Sequence, residues 1–391
     1  MLLEEQLQQQ LKQRRQQQRY RQRSVVCSPQ GANITVDGQQ KLAFCSNDYL
    51  GLANHPAVVE SMITAAQTMG AGSGASHLIY GHSEHHHRLE EELAAFTGRE
   101  RALLFSTGYM ANMGVISALL NRGDAVFEDR LNHASLIDAG ILSRAKLRRF
   151  HHNDLIQLEK QMASSTANRK LVAVDGVFSM DGDLAPLTEL SVLCRNNNAW
   201  LMVDDAHGFG VLGENGGGCA EQFNLNTSQL PILIGTLGKA FGTFGAFVAG
   251  SAILIESLIQ WARTYIYTTA LPAAVASATR TSLQLIQSEH WRRQQLHDRI
   301  AQFRQGAQAL GLPLMSSSTP IQPLLLGDEA SVLAADNKLR QQGILVGAIR
   351  PPTVPQGESR LRITFNSNHQ AEHIDQLLTA LDAVIPLSVR R

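Results

Sequence analysis

Between about residues 55 and 285, short apolar runs alternate with stretches whose apolar positions recur every three to four residues. That alternation predicts βαβ units and a mainly parallel sheet. Arg101–Phe105, Ala125–Glu128, Leu171–Asp175, Trp200–Asp204, Ile232–Thr236 and Gly245–Ala249 read as strands. Several are apolar almost throughout, as strands covered on both faces are. Helical spacing covers Ala57–Met69, Glu84–Phe96, Gly108–Leu120, Leu155–Ser164 and Leu187–Asn196.

Beyond a long helical region near 272–311 the pattern changes. Ile321–Leu326, a helix over 330–342, Ile344–Ala348, Arg360–Phe365 and a last helix over 369–384, capped by Asn368 or Ser367, predict a smaller α+β domain. The chain therefore divides into an N-terminal helix and segment over 1–54, a large domain over 55–285 and a small domain over 286–391. Residues 1–23 are rich in Arg and Gln, with Leu2, Leu3, Leu7, Leu11 and Tyr20 as the apolar positions. They predict a weakly amphipathic, solvated helix lying on another surface. Glu4, Glu5 and a Gln run stand where a signal peptide would carry its apolar stretch, and no window is apolar enough for a membrane helix.

Composition narrows the classes. The chain has 391 residues, 44% of them hydrophobic, and its 34 basic side chains balance 34 acidic ones. It is long enough to bury a core without staples, and it lacks the basic excess that phosphate neutralisation demands of nucleic-acid binders. Cys27, Cys45, Cys194 and Cys219 are far apart and form no zinc spacing, which fits reduced thiols in the cytoplasm.

Ligands of parallel sheets bind at the carboxyl ends of strands, so polar residues following apolar runs are the first candidates. Asp204 ends one run and His207 follows it; Asp175 and Ser179 follow another; Thr236 and Lys239 follow a third. Of the chain's seven lysines, only Lys239 stands in a glycine-flanked apolar context. A desolvated lysine loses its proton more easily and can form a Schiff base with an aldehyde. Alone it reads first as a strand-end lysine reaching solvent. Asp204 suits a carboxylate paired with a pyridinium nitrogen, or a helix cap in the next turn. His207 could bond a phenolic oxygen and Thr236 a phosphate. Ser106-Thr107-Gly108-Tyr109 opens a helix, where unpaired N–H groups attract anions.

Other chemistry is weaker. His82, His85, His86 and His87 cluster near Glu84, and on a helix His82 and His86 would share a face able to hold zinc; surface histidines at a helix start are the ordinary alternative, and no metal is expected. No strand-linked GxGxxG supports a dinucleotide site. Gly70-Ala-Gly-Ser-Gly-Ala follows a helix and reads as a substrate-channel loop.

Six motifs in order, Asn47-Asp-Tyr-Leu-Gly-Leu52, Asn132-His133-Ala-Ser135, Asp175-Gly-Val-Phe-Ser179-Met-Asp-Gly182, Val203-Asp204-Asp-Ala-His207-Gly, Gly235-Thr-Leu-Gly-Lys239 and Arg350-Pro-Pro-Thr353-Val-Pro355, resemble the α-oxoamine synthases. These are pyridoxal-phosphate enzymes of the aspartate aminotransferase fold type. The resemblance runs from about residue 20 to 365. It implies that Lys239 bears pyridoxal 5'-phosphate, Asp204 pairs with its ring nitrogen and His133 stacks on its face. Ser179 and His207 would sit at the ring oxygen, and Thr236, Gly108 and Tyr109 at the phosphate. Arg362 with Asn47 would hold an amino-acid carboxylate, and Arg21 and Thr353 would line the acyl path. Arg350–Pro355 and Gly72-Ser-Gly-Ala-Ser76 resemble the branch serving biotin synthesis, which condenses L-alanine with a pimeloyl thioester of coenzyme A or a carrier protein and releases CO2. A glycine–acetyl condensation is the alternative. The resemblance also implies a homodimer, with Thr268 or Thr269 reaching the partner's phosphate site. Tyr109, where the family often has Phe, and the segment 77–87 depart from its pattern.

Overall fold

The structure is a computed structural model that describes residues 3–17 and 19–390; Leu2 lies outside them. In chain order its strands are β1 (Asn33–Val36), β2 (Gln39–Ala43), β3 (Arg101–Phe105), β4 (Ala125–Asp129), β5 (Lys146–Phe150), β6 (Lys170–Asp175), β7 (Trp200–Asp204), β8 (Ile232–Thr236), β9 (Ala246–Gly250), β10 (Ile321–Gly327), β11 (Ile344–Leu345), β12 (Gly347–Ile349) and β13 (Ser359–Thr364). The chain forms two compact units, one of Asn47–Ser179 and Asp183–Gln295, the other of Met1–Ser46, Met180–Gly182 and Leu296–Arg391.

The first unit holds a seven-stranded sheet in the order β3-β9-β8-β7-β6-β4-β5. Strands β5, β4, β6, β7 and β8 are mutually parallel, and β9 runs antiparallel to both β8 and β3. Helices Ala134–Leu142, Leu155–Ala163 and Leu187–Asn196 make the crossovers that parallel neighbours require. The apolar runs are strands because both faces are covered: every residue of β4 and β9 is buried. Phe105, Val115, Val126, Leu171, Met202 and Val248 share one core cluster. Parallel direction brings Asp129, Asp175, Asp204 and Thr236 to one edge of the sheet, with Asp175 and Asp204 in register on adjacent strands.

Four elements differ from the sequence reading here. Strand β5 carries Lys-Leu-Arg-Arg-Phe and only Phe150 is buried; as an edge strand it needs no apolar run. Helices Ala134–Leu142 and Ala252–Trp261 were not anticipated. The helical region after 272 breaks at Glu289 and His290 into Ala273–Ser288 and Trp291–Ala309.

The second unit has two three-stranded sheets, β1-β2-β11 and β10-β13-β12. Asp37 and Gly38, both at positive φ, turn the β1–β2 hairpin. The run read as one strand over Ile344–Ala348 is two: β11 pairs with β2 and β12 with β13, so Val346 is where the chain changes sheets. The last helix, Ala371–Val384, is capped by Gln370 in reciprocal bonds with His373. Asn368 and Ser367 do not cap it, because Asn368 N bonds Asn366 Oδ1 in the preceding turn. The N-terminal helix forms over Leu3–Gln16 with no buried residue. No helix of the described residues is long and apolar enough to cross a membrane.

The loop carrying Lys239 is held by close backbone packing. Gly242 has φ of +66°, and a Cβ there would lie 2.3 Å from Ala53 N and 2.6 Å from Leu52 C. Gly242→Ala should destabilise the protein by about 2–4 kcal/mol; a denaturant midpoint equal to wild type would contradict this packing.

Candidate active site

The amine of Lys239 lies 2.7 Å from His207 Nε2, and His207 Nδ1 lies 2.7 Å from the Tyr49 hydroxyl. Tyr49 in turn donates to Asn47 Oδ1 at 3.3 Å. A single direction of donation satisfies all four groups: the Lys239 ammonium donates to Nε2, Nδ1–H donates to the Tyr49 oxygen, and the Tyr49 O–H donates to Asn47. Lys239 is half-buried, whereas Tyr49 and His207 are buried.

Asp204 ends β7 with both oxygens engaged. Oδ1 accepts from Ala206 N at 3.1 Å and Oδ2 from Asn112 Nδ2 at 2.6 Å. It therefore shapes a tight turn and caps no helix. Asn112 Nδ2 also donates to Ser135 Oγ at 2.8 Å, and Ser135 Oγ lies 2.7 Å from His133 Nδ1. His133 stands at the start of helix Ala134–Leu142 as its N-cap. Its backbone N donates to Asp175 Oδ2 at 2.7 Å. Burial, reinforced by the neighbouring Asp204, holds the Asp175 carboxyl well above the usual carboxylate range, against the bond from His133 and the charge of Lys239. The fields of Asp204 and Lys239 also both reach His133, so amine, acid and imidazole share one neighbourhood.

Gly108 and Tyr109 open helix Gly108–Leu119. Their N–H groups belong to the first turn, which has no intrahelical acceptors; that of Met110 is taken by Thr107 Oγ1. The Tyr109 ring stands edge-on to His133 at 6.3 Å, and its hydroxyl donates to Asp138. Thr236 ends β8, with its hydroxyl turned to Gly245 O at 3.2 Å. Ser179 follows β6 in the same unit. Arg21, Thr353 and Arg362 belong to the second unit, where Arg362 is buried on β13 and Arg21 and Thr353 are exposed.

Tyr49, Asn112 and Ser135 are site residues that sequence reasoning left unassigned. Tyr49 and Ser135 stand inside two of the motifs, and Asn112 lies one helical turn beyond Gly108, on the face that meets the sheet. That spacing was the available signal.

The histidine cluster is not as expected. The helix begins at Glu84, so His82 lies before it and shares no helical face with His86. Only His87 is exposed. His86 is buried with both ring nitrogens engaged, Nδ1 by Ser83 N and Nε2 at 2.7 Å from Leu271 O. Burial and the neighbouring histidines lower His77 to about 3 and His82 to about 4.

The donor set at the sheet edge suits a molecule with an aldehyde, a basic ring nitrogen and a phosphate. Lys239 offers the amine, Asp204 a buried carboxylate for a ring cation, and helix Gly108–Leu119 its first-turn amides. A family model described as aminotransferase class I and II matches residues 39–381. The chain is 60% identical over 387 residues to the 8-amino-7-oxononanoate synthase of Saccharophagus degradans, covering 98% of each. It resembles the solved 8-amino-7-oxononanoate synthase of Francisella tularensis with a TM-score of 0.78 at 33% identity, over 88% of this chain and 97% of that one. A serine palmitoyltransferase variant from S. paucimobilis, with bound PLP–myriocin, gives a TM-score of 0.92 at 29% identity, over 97% and 96%. With the family model spanning most of its length and a relative this similar, the chain belongs to the class I and II aminotransferase family.

Proposed function

We propose that this chain is an 8-amino-7-oxononanoate synthase that uses pyridoxal 5'-phosphate to condense L-alanine with a pimeloyl thioester, releasing CO2 and the free thiol. The observation that carries the reading is the Lys239 amine, held 2.7 Å from His207 at the sheet edge it shares with the buried Asp204. The identity to curated synthases points to this substrate pair rather than to glycine and an acetyl thioester. Bound here, the cofactor would supply an electron sink for a carbanion at the amino acid's α-carbon.

Lys239 would hold the cofactor covalently, Asp204 would keep its ring nitrogen protonated and His133 would lie against its face. Ser179 and His207 would contact the ring oxygen, and Thr236, Gly108 N and Tyr109 N the phosphate. Arg362 would bind the alanine carboxylate through its guanidinium fork, helped by Asn47, with Arg21 and Thr353 along the acyl path. Once displaced by the amino acid, Lys239 Nζ would take the α-proton. His207 Nε2, kept unprotonated by its Nδ1–H bond to Tyr49, stands ready to accept a hydrogen bond from the resulting ammonium. The resemblance supports a cytoplasmic homodimer and a donor thioester of either coenzyme A or a carrier protein.

Lys239→Ala should abolish turnover, and in the wild type alanine with a pimeloyl thioester should far outpace glycine with an acetyl thioester in thiol release. The reverse preference would reject the substrate assignment. Borohydride should fix the cofactor to Lys239.

Tyr49→Phe removes the acceptor that orients His207, so the Lys239 ammonium loses stabilisation. In cofactor-free protein the pH at which Lys239 becomes reactive to an amine reagent should fall by about one unit. An unchanged profile would show that Tyr49 does not orient His207.

A further inference from the structure

His133 faces two possible roles in any reaction at this edge, as a base or as a hydrogen-bond donor, and its neighbours decide between them. Ser135 N donates to His133 Nδ1 at 3.3 Å. A backbone N–H cannot accept, so Nδ1 is unprotonated and the neutral ring carries its proton on Nε2. The Ser135 hydroxyl, 2.7 Å from the same nitrogen, must then donate to it. That leaves the lone pairs of Ser135 Oγ to accept from Asn112 Nδ2. The other Asn112 N–H is fixed by Asp204 Oδ2 at 2.6 Å. A flipped Asn112 amide would turn its oxygen against that carboxylate, so the amide has one orientation. The direction of donation from Asp204 to His133 thus follows from two groups that cannot reverse, the Ser135 N–H and the Asp204 carboxylate, with Asn112 Oδ1 left buried and unpartnered. Asn112 and Ser135 are buried, while the His133 ring is exposed and its Nε2 has no partner among the described residues.

We propose that Asn112 and Ser135 are positioning residues that tie His133 to Asp204 and hold it as the Nε2–H tautomer, so that His133 meets the substrate as a hydrogen-bond donor and not as a proton acceptor. This rests on the synthase reading only for the identity of the substrate. The class of group it suits is an anionic or carbonyl oxygen, such as the amino-acid carboxylate or the thioester carbonyl. The α-proton is then left to Lys239. The charged groups around His133 are Asp204, Lys239 and Asp138, with Asp175 on its backbone N and Tyr109 at its ring edge. Two donors on Nδ1 oppose protonation of the ring.

Histidine-selective 15N labelling tests this in cofactor-free and cofactor-loaded protein, with the His133 signals identified by their loss in His133→Gln. At neutral pH both forms of the wild type should show an unprotonated Nδ1 and a protonated Nε2. In Ser135→Ala, His133 should become protonated at a higher pH than in wild type and acquire an Nδ1–H population, and kcat should fall on the order of ten-fold. Asn112→Ala should shift the same signals in the same direction. Nδ1–H or imidazolium in the wild type at neutral pH overturns the proposal. So does a Ser135→Ala protein whose His133 signals titrate as in wild type. The wild-type spectrum decides even where a variant does not fold. Because the cofactor-free spectrum involves no substrate, its result stands apart from whether alanine and a pimeloyl thioester are the true substrates.

Discussion

Two carboxylates buried side by side are the costly feature around which the first unit is organised. Asp175 and Asp204 end adjacent parallel strands in register, at 4% and 6% exposure. Like charges in a low-dielectric edge cannot both ionise cheaply. The structure meets the cost unequally. Asp175 is pushed towards its protonated form, whereas Asp204 is given a donor for each oxygen, Ala206 N and Asn112 Nδ2. A cation placed beside Asp204 would relieve the rest, and a protonated ring nitrogen is one.

That asymmetry reaches outward through hydrogen bonds of fixed direction. Asn112 donates both of its N–H groups, and so determines what Ser135 can do; Ser135 determines His133. On the other side of the lysine, His207 is oriented by Tyr49, whose hydroxyl can turn. Neither chain needs a charged side chain between its ends. On the Asp204 side position is therefore set by an amide and a serine hydroxyl that do not titrate, which keeps the polarity there constant while Lys239 gains or loses a proton.

The sheet was legible where burial forces a uniform signal. The parallel strands β4, β6, β7 and β8 are apolar because both faces are covered, and their carboxyl ends mark the edge that carries Asp204, so its place and that of His207 and Lys239 in the following loops could be read from position alone. Legibility failed where tertiary context replaces that signal. Strand β5 sits at the edge with two arginines. The stretch around Val346 serves two sheets within six residues, β11 through β12. Asn112 and Tyr49 act on residues 92 and 158 positions away, a relation that no local pattern encodes. The histidines near His82 show the converse failure. They read as surface histidines at a helix start, with a metal face as the weaker alternative, but the helix starts two residues after His82, and buried His86 spends both nitrogens closing its first turn and anchoring Leu271.

Two histidines at one edge acquire opposite polarity from what touches Nδ1. At His207, Nδ1 gives its hydrogen to a tyrosine oxygen, so Nε2 faces the lysine as an acceptor. At His133, Nδ1 receives a backbone N–H that cannot reverse, so Nε2 faces outward as a donor. The difference comes from the fold, because the tyrosine hydroxyl can rotate and the amide at the start of helix Ala134–Leu142 cannot. His133 is therefore the more rigidly assigned of the two. A group meant to recognise a substrate oxygen gains from that rigidity, whereas a group that must follow the protonation of Lys239 gains from a partner able to turn.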